Sequence, residues 1–127
     1  MFLTIDDHRG GRRQFHQARS RGTFSMTAGR GFMNPIAIAR WLAREVDALV
    51  FRPPTACTYN PLIYARRPHE AYLKRYARQG AETLLLGMNP GPWGMAQTGV
   101  PFGEVEHVRE FLGITARVDQ PAQVHPK

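Results

Sequence analysis

The chain holds a single cysteine, Cys57, among its 127 residues. One thiol cannot close an internal disulfide, and a thiolate metal site is not expected without further cysteines. A reducing, intracellular setting fits that composition. Long apolar runs are missing too, since nothing approaches the roughly 18 residues that a membrane span requires. The amino terminus lacks the apolar core of a secretory signal, so neither membrane nor export is expected. The histidines His8, His16, His69, His107 and His125 show no ligand spacing, and no metal is expected. Acidic residues are scarce as well, ten against seventeen Lys and Arg, which leaves a net charge of +7. Such an excess favours a polyanionic partner, because each phosphate neutralised releases condensed counterions. Charge alone does not select nucleic acid among polyanions.

The rest is ordinary globular material: 43% hydrophobic residues in a length that suits one core. Residues 1–33 show neither helical nor strand period, with Arg9, Arg12, Arg13, Arg19 and Arg21 set among glycines. They read as a disordered basic arm. Met26 and Met33 are alternative initiators, which leaves open a natural start downstream of it. Asn34-Pro35 then supplies a helix cap and a proline suited to the first turn. Behind them Ile38, Trp41, Leu42, Val46 and Leu49 recur at three and four, one apolar stripe with Arg40, Arg44 and Asp47 outward. Arg52-Pro53-Pro54 ends that helix. A second helix is predicted from Pro68 to Arg78, with Gly80 at its carboxyl end. Thr83-Leu84-Leu85-Leu86 reads as a short strand buried on both faces of a parallel sheet. A further helix is expected from Glu104 to Leu112, closed by Gly113, and a linker without period from Thr115 onward. The pattern implies an α/β sheet, although one strand is not a sheet.

Between the predicted strand and the last helix runs Gly-Met-Asn-Pro-Gly-Pro-Trp-Gly-Met-Ala-Gln-Thr-Gly-Val-Pro-Phe-Gly, residues 87–103. Five glycines and three prolines in seventeen positions fix an unusual path and let backbone approach a ligand closely. At the carboxyl end of a strand such a loop lies in the usual ligand crevice of an open α/β sheet. Neither standard phosphate-binding fingerprint occurs in it. Spacing alone stops at a ligand loop of unknown chemistry, or a structural turn.

The string from Gly87 to Val105 resembles the first active-site motif of the single-strand-selective monofunctional uracil-DNA glycosylases, within the uracil-DNA glycosylase superfamily. Tyr59-Asn60-Pro61-Leu62-Ile63-Tyr64-Ala65 and Arg67-Pro68-His69 also resemble the family's stretch before that motif. The resemblance runs from about Pro35 to the end and implies a three-layer α/β/α sandwich around a parallel central sheet, incomplete in this chain. It implies base-excision repair: a base is flipped from single- or double-stranded DNA and its glycosidic bond is hydrolysed by water, with no cofactor. Asn89 matches the residue that positions the attacking water, and Phe102 the aromatic that stacks on uracil. Met88 and Gly91 match pocket-wall positions. Gln97 and Thr98 receive no individual step.

Trp93 stands where the family more often has Phe. The family's second half, with an Asn that reads the uracil edge and a His-Pro-Ser-Pro motif, does not occur in these 127 residues; His125-Pro126 is not that motif. The domain expected over 34–127 is therefore an amino-terminal part. The alternative to a repair hydrolase is an inactive fragment or a simple nucleic-acid-binding module. The expected partner is uracil-containing DNA, the expected state a monomer. The setting would be the nucleoid of a bacterium or the nucleus of a eukaryote.

Overall fold

A computed structural model describes residues 3–6, 34–78 and 80–125, the first four by backbone alone. Residues 7–33, most of the expected basic arm, lie outside the described residues, as do Pro126 and Lys127. Within the stretch expected to lack structure, Leu3–Asp6 forms a strand, β1, which pairs antiparallel with β2, Thr55–Tyr59. The register runs Leu3 to Tyr59, Thr4 to Thr58 and Ile5 to Cys57, then slips so that Asp6 faces Thr55. This four-residue strand is too short for sequence alternation to announce it.

Helix α1, Pro35–Asp47, begins as its sequence directs. Asn34 stays extended, and its side-chain oxygen accepts the Ile36 amide at 3.0 Å, satisfying one of the donors a helix start leaves open. The predicted stripe is covered only along one edge. The buried residue of the helix is Ala43, outside that stripe; Trp41, Val46 and Leu49 are half-buried, while Ile38 and Leu42 remain 40% and 36% exposed. Asp47 is exposed, as expected, and also accepts a hydrogen bond from Asn60 Nδ2 at 3.3 Å. The same nitrogen donates to Ala43 O at 3.0 Å, so Asn60 ties β2 to the end of α1.

A single turn, α2 (Pro61–Tyr64), leads directly into α3 (Arg66–Tyr76). Helix α3 starts two residues before the predicted Pro68, because proline is tolerated within the first turn. It ends at Tyr76; Ala77 turns extended and caps it, and Gly80, at φ 76°, serves the turn beyond. Arg40 on α1 clamps Glu70 on α3 with two bonds of 2.7 and 2.8 Å, a bidentate geometry that fixes the two helices side by side.

The strand predicted at Thr83–Leu86 is absent. Leu84, Leu85 and Leu86 are 84%, 73% and 88% exposed, and no strand lies alongside them among the described residues. A strand exists only by pairing, and an apolar run without a partner cannot form a ladder. The fold among the described residues is accordingly mixed, mainly helical with little strand, and its one sheet is the antiparallel β1–β2 pair rather than a parallel one.

After the glycine-rich loop, which contains the single turn α4 (Met95–Thr98), comes α5, His107–Phe111. It opens with an α-type bond, Val108 N to Glu104 O at 2.9 Å, and widens to a π-type bond, Leu112 N to His107 O at 3.0 Å. The Glu104 carboxylate caps it, accepting the Glu106 and His107 amides at 3.1 Å. Those amides hold its pKa below the usual carboxylate range. Gly113, at φ 60°, closes the element as predicted. Residues 115–125 have no regular structure, yet they are anchored: Asp119 N donates to Tyr64 O and His125 N to the Tyr59 hydroxyl, both at 2.8 Å. Two small clusters make the core. Ala43, Leu62 and Met95 form one; Val100, Val108 and Ile114, packed by Ala71, Tyr72 and Leu112, form the other. The loop supplies Met95 to the first and Val100 to the second.

Candidate active site

Short-range amide bonds shape the loop. Gly94 N and Ala96 N both reach Gly91 O, at 3.2 and 3.1 Å, and Gln97 N and Thr98 N both reach Gly94 O, at 2.8 and 3.0 Å. These bonds wind α4 behind the prolines, and Gln97 Nε2 returns to Pro92 O at 3.0 Å. Pro90 is fully buried, which plants the segment just after Asn89 in the body of the fold. Gly99 then stops the turn at φ 71°, with its amide on Met95 O at 2.8 Å. A Cβ there would lie 2.5 Å from Ala65 O and 2.7 Å from Ala65 Cβ. Glycine is required twice over, by backbone angle and by contact.

Two side chains from the preceding segments hold the same place. The Tyr64 hydroxyl donates to Ala96 O, and burial pushes its pKa up to about 12. His69 is buried, with Nδ1 2.7 Å from Gly99 O. A carbonyl only accepts, so Nδ1 carries the proton. Burial pushes the imidazole pKa below 6.5, outweighing the Gly99 carbonyl and the neighbouring Glu70. Glu70 itself is held low, chiefly by the Arg40 hydrogen bond.

The loop closes in a tight turn, Gly103 N to Val100 O at 3.0 Å, with Pro101 and Phe102 at its centre. Phe102 has φ 55°, the left-handed region, which costs a non-glycine residue about 1–2 kcal/mol. Proline second and positive φ third are the marks of a type II turn. The Phe102 ring is 67% exposed, and its edge passes Gly87, where a Cβ would stand 3.4 Å from Cζ.

Phe102, one of the expected site residues, is thus brought beside Gly87 across the loop. Asn89 is exposed and its Nδ2 donates to Pro90 O at 3.1 Å. Met88 is 98% exposed, Trp93 78%, and Gly91 half-buried. None of Met88, Asn89, Gly91 and Phe102 lines either main surface cleft. One of the two, about 350 Å³, is lined by Pro68, Thr98, Val105, Arg109 and the segment after Gly113. Among the described residues no group of three or more His, Cys, Asp and Glu could hold a metal, and no helix is long and apolar enough to cross a membrane. The residues that fix the loop (Tyr64, His69, Thr98 and Gly99) carried no assigned role in the sequence. A clue was the Pro68-His69 pair, an imidazole on the apolar side of a helix.

No family model matches the chain. Curated proteins do. Over 86 residues the chain is 55% identical to the single-strand selective monofunctional uracil-DNA glycosylase of Rattus norvegicus, covering 68% of this chain and 31% of that protein. The corresponding protein of Mus musculus is 54% identical over 86 residues, with the same coverage, and that of Bos taurus 52% over 83 residues. Identity of this order over such a length places the matched segment with the uracil-DNA glycosylases. Within that class, the chain carries a partial region of the single-strand selective monofunctional uracil-DNA glycosylase family. It spans less than a third of the length of the curated relatives it matches.

Two predictions follow from the packing around Gly99. Gly99→Ala should destabilise the protein by more than about 2 kcal/mol, combining left-handed strain with overpacking against Ala65. A urea midpoint unchanged from wild type would contradict the close approach. The second concerns pH. Because the folded His69 pKa lies below 6.5, the unfolded chain takes up the proton first as pH falls. Its contribution is complete above about pH 6.5 and is lost between there and the lower folded pKa, whereas that of Glu70 is lost only below its unfolded value of 4.5. Urea midpoints at pH about 7.5 and about 5.5 should therefore drop more in wild type than in His69→Asn. Equal drops would rule out the buried neutral imidazole.

Proposed function

We propose that this chain forms the amino-terminal part of a monofunctional DNA glycosylase of base-excision repair, which hydrolyses the N-glycosidic bond of uracil and related modified pyrimidines. The observation that carries the reading is the 52–55% identity to three glycosylases so named, in a chain whose glycine-rich loop exposes a carboxamide and an aromatic. The partner is uracil-containing DNA, single- or double-stranded, and the base is extruded at a cost of a few kcal/mol before reaction. The protein acts as a monomer, without cofactor, beside DNA in a nucleoid or a nucleus.

In this reading Asn89 positions the attacking water. Its Nδ2 is committed to Pro90 O, which turns Oδ1 toward the role of acceptor for a water hydrogen. A carboxamide is no effective general base, so the bond must break largely before attack, leaving a sugar cation that needs little nucleophilic push. Phe102, exposed and backed by Gly87, supplies the stacking face, while Met88 and Gly91 line the base's approach. The parallel sheet of a three-layer sandwich would be completed by strands outside this sequence, laid along Leu84, Leu85 and Leu86. Until those leucines are covered the 127-residue chain alone is inactive.

The test is the full-length gene product containing this sequence, incubated with uracil-containing single-stranded DNA. Alkali-labile abasic sites are expected, and their absence beside an active control enzyme rejects the reading. Asn89→Ala should lower kcat at least ~10²-fold, as loss of one pre-aligned polar group at a reacting centre does. DNA affinity should change little. Matched losses of affinity and turnover would mean that Asn89 holds the fold instead.

A further inference from the structure

One polar side chain of the loop takes no chemical step and yet touches the ends of its most strained turn. Thr98 is 6% exposed, and its Oγ1 meets three backbone groups. It accepts the Val100 amide at 3.1 Å, donates to Gly103 O at 2.8 Å, and lies 3.2 Å from Gly94 O. A hydroxyl has one proton, and the shorter contact takes it. Val100 and Gly103 are the first and last residues of the turn that carries Phe102. The hydroxyl therefore ties together the two ends that the Gly103 N to Val100 O bond already joins.

The constraint has a purpose in the geometry. A phenylalanine backbone leaves φ 55° unless its surroundings impose it. The exposed ring cannot impose it. The turn's ends can: Val100 is fully buried, and a Cβ on Gly103 would sit 2.5 Å from Val108 Cγ2. Both ends are packed, and Thr98 sets the distance between them. Resting on the glycosylase reading, we infer that Thr98 is a positioning residue whose hydroxyl clamps the Val100–Gly103 turn and so presents Phe102 as a preformed stacking face for an extruded base.

The test compares Thr98→Val, which keeps the shape and leaves Val100 N–H and Gly103 O unpaired, with Thr98→Ser, which keeps the hydroxyl. In the full-length protein, kcat/KM on uracil-containing single-stranded DNA should fall about tenfold or more in Thr98→Val, the usual cost of stranding a buried backbone group. Thr98→Ser should recover most of that loss. Because the clamp acts through the aromatic, Thr98→Val should cost little further in a Phe102→Ala background. The Val100 amide should exchange with solvent faster in Thr98→Val than in wild type, and Thr98→Ser should restore its protection. Losses that add in the double variant, or unchanged Val100 exchange, overturn the clamp while leaving the glycosylase reading intact. A wild-type protein that releases no uracil sinks both. Should Thr98→Val not fold, Thr98→Cys, of similar size with a weak donor, makes the same comparison.

Discussion

The close approach of Gly99 to Ala65 is the constraint on which the rest of the loop depends. With no side chain between them, the left-handed cap of α4 lies directly on the junction of α2 and α3, and Ala65 is fully buried by it. Only at that separation can His69 reach Gly99 O and Tyr64 reach Ala96 O. Those contacts in turn decide which side of α4 faces inward, setting Met95 against Ala43 and Leu62, burying Ala96 and leaving Gln97 outside. An exposed loop rich in glycine and proline is thereby given a fixed path by three groups on the segment before it.

The energetic character of the molecule follows from how little it buries. Each core cluster has three buried members, and many large apolar side chains outside them, among them Trp93, Phe102, Phe111 and the three leucines, are exposed. Polar contacts therefore carry much of the geometry: Arg40 on Glu70, Asn60 on α1, His69 on the loop. Directional bonds of this kind fix position more than they add stability, since each is worth only about 0.5–1.5 kcal/mol net.

What the sequence disclosed depended on the range of the interaction involved. Asn34 capping α1 and Gly113 closing α5 are local chemistry, and both stand as read, whereas α1 already stops at Asp47, ahead of the Arg52-Pro53-Pro54 expected to end it. The trileucine strand failed because pairing is not local: the period of Leu84 to Leu86 is right for a buried strand, but nothing in those residues can supply a neighbour. The α1 stripe was half right for the same reason, its helix formed by Ile38 and Leu42 but not covered at them. At the loop, the resemblance of the motif pointed to Asn89 and Phe102, and the comparisons bear out the family. It could not show that Phe102 is left-handed or that Thr98 bridges its turn, because those depend on where Val108 and Ala65 come to rest.

The strap from Thr115 to His125 gives the molecule two solvent faces of different permanence. Thr115, Ala116 and Val118 wall one side of a cleft whose other side includes Thr98. The strap is pinned by two hydrogen bonds, at Tyr64 and Tyr59. Fraying there would require far less than global unfolding. Water would then reach the Thr98 hydroxyl and compete for its bonds to Val100 and Gly103, so a segment that contributes nothing to the loop's outward face shields the bonds that hold that face.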